Sequence, residues 1–326
     1  TYIDTATMMV NVIAVLVGFI PTGLPVAVTL SLLLMARRMA NNRVIVKNLT
    51  TIETLSTVNV IASDKTGTLT QNKMFVSSAS AGIKAIDLKE FNEFHQSIGF
   101  RQLVATASLC NNAKFDEEEV KKANEIVPIA IRKAKGDATD IALLRFSAER
   151  LDHHDFPSTY DELFQIPFNS RNKWMMKLVR PKSAESHIKM FPDKRDNCVF
   201  LMKGAPDILL RKCKSMIDVD GNQVELSDEK KMEAIRVQND WCMQGQRVVL
   251  LCKRECTQEM LETVSIASQS DIEMLVNALN DFCLVGLLGI IDPPREGMSD
   301  VIAKCRTAGI KVFMVTGDYA LTAAAI

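Results

Sequence analysis

Between Thr5 and Ala36 lie 32 consecutive residues without one Asp, Glu, Lys or Arg. A helix needs about 20 apolar residues to cross the roughly 30 Å hydrocarbon core of a bilayer, and this stretch is ample. It is too long, and too bare of a basic leader, for a signal peptide. The competing reading is a buried core helix, against which length without charge argues. Arg37, Arg38, Arg43 and Lys47 follow at once, whereas Asp4 is the only charge before it. By the positive-inside rule, residues after about 37 are then cytosolic. The whole chain balances 39 basic against 39 acidic residues, so no global positive field favours nucleic acid as a partner.

Inside the bare stretch, Ile20-Pro21-Thr22-Gly23-Leu24-Pro25 interrupts any regular helix. Pro21 and Pro25 leave the carbonyls of Val17 and Pro21 without their i+4 donors. In lipid such carbonyls must face protein, water or an ion. The break reads either as a packing kink or as a cation site in a discontinuous helix. One broken span cannot enclose a pathway, so partner helices are expected elsewhere.

Asn59-Val60-Ile61-Ala62-Ser63 reads as a short buried strand, followed by Asp64-Lys65-Thr66-Gly67-Thr68-Leu69-Thr70. An Asp on a Gly/Thr-rich turn at the carboxyl end of a strand sits where open α/β sheets bind ligands. Its carboxylate could attack phosphorus and form an aspartyl-phosphate. Mg²⁺ on Asp64 and the Thr66 carbonyl would offset the repulsion between carboxylate and phosphate. The alternative is a turn capped by an Asp.

The seven-residue string from Asp64 to Thr70 resembles the phosphorylation motif of P-type ATPases. Pro21-Thr22-Gly23-Leu24-Pro25 is similar to the fourth transmembrane helix of that family. Val46-Lys47-Asn48-Leu49, Glu53-Thr54-Leu55 and Thr70-Gln71-Asn72-Lys73-Met74 resemble the sodium/potassium and calcium pump branch. The chain has neither a Walker A loop nor a GxGxxG. In their place, Ile166-Pro167-Phe168-Asn169-Ser170 and Lys203-Gly204-Ala205-Pro206 resemble the nucleotide contacts of the family. The resemblance implies that Phe168 stacks on adenine while Lys173 and Lys203 bring positive charge to ATP. Gly204 would let the backbone approach the nucleotide closely. Arg247, in Gly245-Gln246-Arg247-Val248, matches the arginine near ribose and phosphates. Asp140, in Gly136-Asp137-Ala138-Thr139-Asp140, stands where the family commonly has Glu, on the adenine side.

Phe282 to Ile291 is an apolar run ending in Asp292-Pro293-Pro294-Arg295. An amphipathic helix is expected next, through Val301, Ile302 and Cys305, stopping at Gly309. Ile310 to Val315 reads as a second buried strand, delivering Thr316-Gly317-Asp318 to a turn where a hydroxyl and backbone N–H groups could hold phosphoryl oxygens. This resembles the second motif of the haloacid-dehalogenase-like fold. The implied catalytic set is Asp64, Lys65, Thr66, Thr316, Gly317 and Asp318, with Asp292 and Arg295 joining the nucleotide-binding residues.

The fold class expected is α/β: a haloacid-dehalogenase-like (Rossmann-type) phosphorylation domain with an inserted α+β nucleotide-binding domain, preceded by a transmembrane helix. The expected map is a transmembrane segment over 1–36, broken at 21–25, and a cytosolic linking helix over 37–58. A split, incomplete phosphorylation domain over 59–75 and 284–326 would enclose a nucleotide-binding domain over 76–283. Asp116 to Lys122 is expected as a solvated loop or helix start, His153-His154 as an exposed loop, and Pro181 to Asn197 as a hairpin loop. Eight scattered cysteines without a C-x-x-C pair read as cytosolic thiols.

The function implied is that of a piece of an ATP-driven pump for monovalent cations in the plasma membrane, with Mg²⁺ and ATP as cofactor and substrate. Its expected partners are the bilayer, the transported cations and an accessory subunit. A calcium pump and a non-catalytic nucleotide-binding regulatory product are the alternatives. Thr22 replaces the Glu that such pumps usually carry in the helix break, so ion identity does not transfer. Val17, Gly18, Ile20 and Thr22 remain the candidate ion ligands. The later motifs of the family would lie beyond Ile326, so the chain alone is expected to be an inactive fragment.

Overall fold

The computed structural model describes residues 4–19, 23–86, 88, 97–116, 128–129, 132–151, 156–182, 198–266 and 268–325. Ile20, Pro21 and Thr22, the acidic run after Asp116, His153-His154 and residues 183–197, for which a hairpin loop is expected, lie outside the described residues. Among the described residues, thirteen strands run in chain order: β1 Val60–Asp64, β2 Phe75–Ala81, β3 Lys84–Ile86, β4 Lys114–Phe115, β5 Ala134–Lys135, β6 Tyr160–Ile166 and β7 Trp174–Pro181. They continue as β8 Val199–Gly204, β9 Cys213–Ile217, β10 Gln223–Glu225, β11 Arg247–Glu255, β12 Phe282–Ile291 and β13 Lys311–Val315. The chain divides into two compact units, one of Thr1–Ser63 with Ser299–Met314, the other of Asp64–Met298 with Val315–Ile326.

In the first unit, helices Thr5–Phe19 and Gly23–Asn41 bury no residue. The stretch Thr5–Asn41 is long and apolar enough to cross a membrane by length and composition. Its second helix ends after Asn41. Val44 N–H reaches back to the Met39 carbonyl and Arg43 N–H to that of Ala40, both at 2.9 Å. Arg43 between them takes a left-handed φ of 64°. These are the paired bonds of a Schellman cap, which orders the last carbonyls and stops the helix. The single linking helix expected over 37–58 is therefore interrupted, and helix resumes only over Thr50–Leu55. Further along, β1 and β13 pair, their starts joined by Lys311 N–H donating to the Asn59 carbonyl at 2.8 Å. The helix Met298–Thr307 leads to β13, and Gly309, at φ 75°, makes the turn between them.

The second unit is built on a nine-stranded sheet in the order β10-β9-β12-β11-β8-β7-β6, with β2 also on β12 and β3 on β2. β12 has three neighbours. β11 lies antiparallel along one edge, while β2 and the parallel β9 share the other. This explains why an uninterrupted apolar run suits it: both edges are hydrogen-bonded and both faces covered. The expected domain boundary at 283/284 falls inside this continuous strand.

Helices Ile98–Leu109 and Ala138–Ala148 cover one face, packing Phe100, Leu103, Leu143 and Phe146 against Val249, Leu251, Val285 and Leu288. On the opposite face Trp174, Phe200, Leu250, Leu284 and Leu287 meet Trp241 and Val276. The alternation along β11, with Val249 and Leu251 on one side and Val248 and Leu250 on the other, is the period-two pattern of a strand buried on both faces. Ser97 and Asp137 cap the first two helices by accepting from Phe100 N–H and Thr139 N–H, each contributing about 1 kcal/mol.

Candidate functional site

Asp64 ends β1, and Lys65-Thr66-Gly67-Thr68 turns the chain behind it. Thr66 has φ −74° and ψ 122°, and Gly67 has φ 76° and ψ −8°. These are the central angles of a type II turn, whose third position needs glycine because side chains resist positive φ. Thr70 closes the turn. Its hydroxyl accepts from Gly67 N–H at 3.1 Å and lies 2.5 Å from Asp292 Oδ2. Arg295 adds its guanidinium, Nε to the Thr70 carbonyl at 3.1 Å and Nη2 to the Gly67 carbonyl at 2.6 Å. Asp292 and Arg295, expected at the nucleotide, thus bind the turn that follows Asp64. Thr70 was not singled out from the sequence, although the threonine three residues after Gly67 is placed for this closure.

Asp318 gathers two cations. Lys65 Nζ bonds one of its oxygens and the Arg247 guanidinium the other. Arg247 Nε stands 3.1 Å from the same oxygen, and Nη1 reaches the Thr139 hydroxyl at 3.5 Å. The Asp318 N–H donates to the Thr316 hydroxyl at 3.2 Å, which fixes the Thr316-Gly317-Asp318 turn. Burial works to raise the Asp318 pKa, yet Lys65 and Arg247 outweigh it and hold the carboxyl below its usual range. A group depressed in this way stabilises the fold above its ordinary pKa, and that contribution is lost as pH falls through the folded value. The structure thus brings Lys65, Thr139, Arg247, Thr316 and Asp318 together. Asp64 and Phe168 are exposed to solvent, Phe168 at 60%.

The third cluster is buried. Lys203, 5% exposed, pairs with Asp140, 8% exposed. The other Asp140 oxygen accepts the Asn112 N–H at 3.0 Å, and its carbonyl accepts Asn111 Nδ2 at 2.9 Å. Nearby Lys177 donates to the Asn111 carbonyl at 2.8 Å and to Glu162 at 2.7 Å. Asn111, Asn112 and Lys177 were not legible as site residues, because their partners lie 28 to 66 positions away. Lys173 is exposed with φ 58°. Its carbonyl accepts the Ala205 N–H at 3.0 Å. A Cβ on Gly204 would lie 2.5 Å from that carbonyl. The bareness of Gly204 therefore serves the close packing of β7 on β8.

In chemical terms, an exposed aspartate precedes a hydrogen-bonded turn, and the lysine next to it in sequence shares the Asp318 carboxylate with an arginine from β11. Residues 99–297 match the family described as P-type ATPase, cytoplasmic domain N. The chain belongs to the P-type ATPases. Among its relatives is potassium-transporting ATPase alpha chain 2 of Oryctolagus cuniculus, 38% identical over 98% of this chain and 28% of that protein. The sodium/potassium-transporting ATPase subunit alpha-A of Artemia franciscana is 33% identical over 100% of the chain and 31% of its own length. Subunit alpha-4 of the human sodium/potassium-transporting ATPase is 35% identical over 98% of the chain and 30% of its own length. The chain thus spans about 30% of the length of the relatives it matches. Within this P-type ATPase chain, the matched region holds Asp140, Phe168, Lys203, Arg247, Asp292 and Arg295.

Proposed function

We propose that the chain is the central part of a cation pump energised by ATP, with Asp64 as the residue that is phosphorylated. The supporting observation is the turn after Asp64: Gly67, Thr70, Asp292 and Arg295 hold it by hydrogen bonds, and Asp64 before it is exposed. In this reading the segment around β1 and β13 is the haloacid-dehalogenase-like phosphorylation domain, and the nine-stranded unit binds ATP. Phe168 stacks on adenine. Lys65, Arg247 and Lys203 meet the phosphates by exchanging their internal carboxylates for phosphoryl oxygens. An Asp64 oxygen attacks the γ-phosphorus, the bond to the β-phosphate oxygen breaks, and ADP leaves. Water later attacks the phosphorus of the aspartyl-phosphate and restores the carboxylate. Positioning and neutralisation of charge carry the rate in such transfers.

The hard oxygen donors needed for Mg²⁺ fit the site, since the Asp64 carboxylate and the half-buried Thr66 share the exposed turn. Asp64 and the Thr66 carbonyl would hold the ion, which supplies neutralisation of phosphate charge when bound. The names of the relatives favour monovalent cations, with an accessory subunit and a plasma-membrane location as further parts of the proposal. Val17 and Gly18 end the first apolar helix and would offer carbonyls to the ion beside Ile20 and Thr22. Labelled ATP added to native membranes holding the protein should yield an acid-stable, hydroxylamine-labile phosphoprotein, absent from Asp64→Asn. Equal labelling of that variant overturns the assignment.

A further inference from the structure

Two cysteines outside the site face each other across the sheet. β8 and β11 pair antiparallel from Leu250↔Gly204 to Glu255↔Val199. One step beyond, Cys256 N–H donates to the Cys198 carbonyl at 2.8 Å. The two residues are therefore directly opposed, with their side chains on one face of the sheet, and both join the core around Phe200, Met202 and Leu250. Opposed antiparallel residues hold their Cα atoms about 4.5–5.5 Å apart. That lies inside the roughly 4.4–6.8 Å window of a disulfide.

Both are thiols here, each 5% exposed. Burial, and then the neighbouring Cys198, push the Cys256 thiol up to about 11. Cys256 is therefore a poor first attacker at neutral pH. Arg180, exposed near the end of β7, interacts electrostatically with the Cys198 side chain.

We propose that Cys198 and Cys256 form a reversible cross-strand disulfide when the protein meets hydrogen peroxide. The Cys198 thiolate attacks one peroxide oxygen and the O–O bond breaks. The released hydroxide takes up the proton lost by the thiol and leaves as water, with a sulfenic acid left on Cys198. Cys256 sulfur then attacks the sulfenic sulfur and the S–O bond breaks. The departing hydroxide carries off the Cys256 proton as a second water. Two electrons pass from the two thiols to the peroxide, and a thiol reductant reverses the bond by exchange. The bond ties β8 to β11 at the end remote from Lys203, Gly204 and Arg247, so it marks a modification site separate from the nucleotide residues.

The test uses the full, reduced chain with millimolar hydrogen peroxide, followed by thiol counting and mapping of linked peptides. Loss of two of the eight thiols, recovery on reduction, and a linked pair joining 198 to 256 are expected. Cys198→Ser should keep all its remaining thiols, whereas Cys256→Ser should lose one, as a sulfenic acid on Cys198, and form no linked pair. The proposal is overturned by eight surviving thiols or by oxidation only to sulfinic and sulfonic acids. A bond joining another pair, such as the neighbouring Cys213 and Cys252, overturns it as well. Because the mapping is done on the unsubstituted chain, a variant that fails to fold does not decide the result.

Discussion

Two apolar stretches of this protein meet opposite fates. Phe282–Ile291 has no charge, and all but its last residue are buried between helices and three strands. The helices of Thr5–Asn41 are as apolar over most of their length, yet none of their residues is buried. Composition is the same and context is not. Ten residues bounded by charge and proline fit a sheet centre. Thirty-two without charge exceed what the core of a small unit can cover, and exposed apolar surface on that scale marks a membrane or protein interface.

Placing a charge in each stretch is the strongest way to break the comparison. Leu287→Asp buries an unpaired carboxylate in β12 and should cost more than about 4 kcal/mol, abolishing cooperative melting near physiological temperature. Leu30→Asp, at a position 58% exposed, should leave that melting unchanged. It should instead raise the cost of membrane insertion by about 3 kcal/mol, read in a translocation assay. Equal melting losses in both variants would show that the N-terminal helices are packed in a core.

A second effect sharpens the view of the sheet unit as a region where charges are spent internally. Lys203→Met leaves Asp140 buried without its cation, at a cost of about 3–5 kcal/mol in thermal or urea unfolding. Lys203→Met combined with Asp140→Leu should recover most of it. Failure of the double variant to recover would mean that Asn112 N–H and Lys203 do not share one network with Asp140. The smallest effect falls on the exposed side of the same unit. Phe168→Ala should leave the melting temperature within about 1 °C, as an exposed truncation does. It should weaken nucleotide binding about tenfold, the scale of lost base–aromatic stacking. A large stability loss with unchanged nucleotide binding would place Phe168 in the core instead.

Much of the architecture was legible where the signal is local. The strand expected over Asn59–Ser63 appears as Val60–Asp64 and that over Ile310–Val315 as Lys311–Val315, but neither is buried as expected, because most of their residues are exposed; the apolar run Phe282–Ile291 is one strand buried at all but its last residue. The helix through Val301 and Cys305 stops before Gly309 as turn chemistry requires. Less legible was the stretch over 37–58, where the cap at Arg43 ends the helix and the β-branched run Val44-Ile45-Val46 does not resume it. The expected boundary at 283/284 cuts β12, whose strand partners come from 75–81, 213–217 and 247–255. Nothing within the strand announces them.

By itself the sequence determined the bare apolar span, the short strands before Asp64 and before Thr316, and the turn that follows Asp64. Each of these follows from period, length or the demands of glycine and proline over a few residues. Only the tertiary structure decided that Lys203 is paired with Asp140, that Asp318 draws in Lys65 and Arg247, and that Thr70 and Arg295 lock the turn from both sides. The physical reason is that a buried charge must find a counter-charge or a row of dipoles. Which one it finds is set by the register of strands that meet from far apart in the chain.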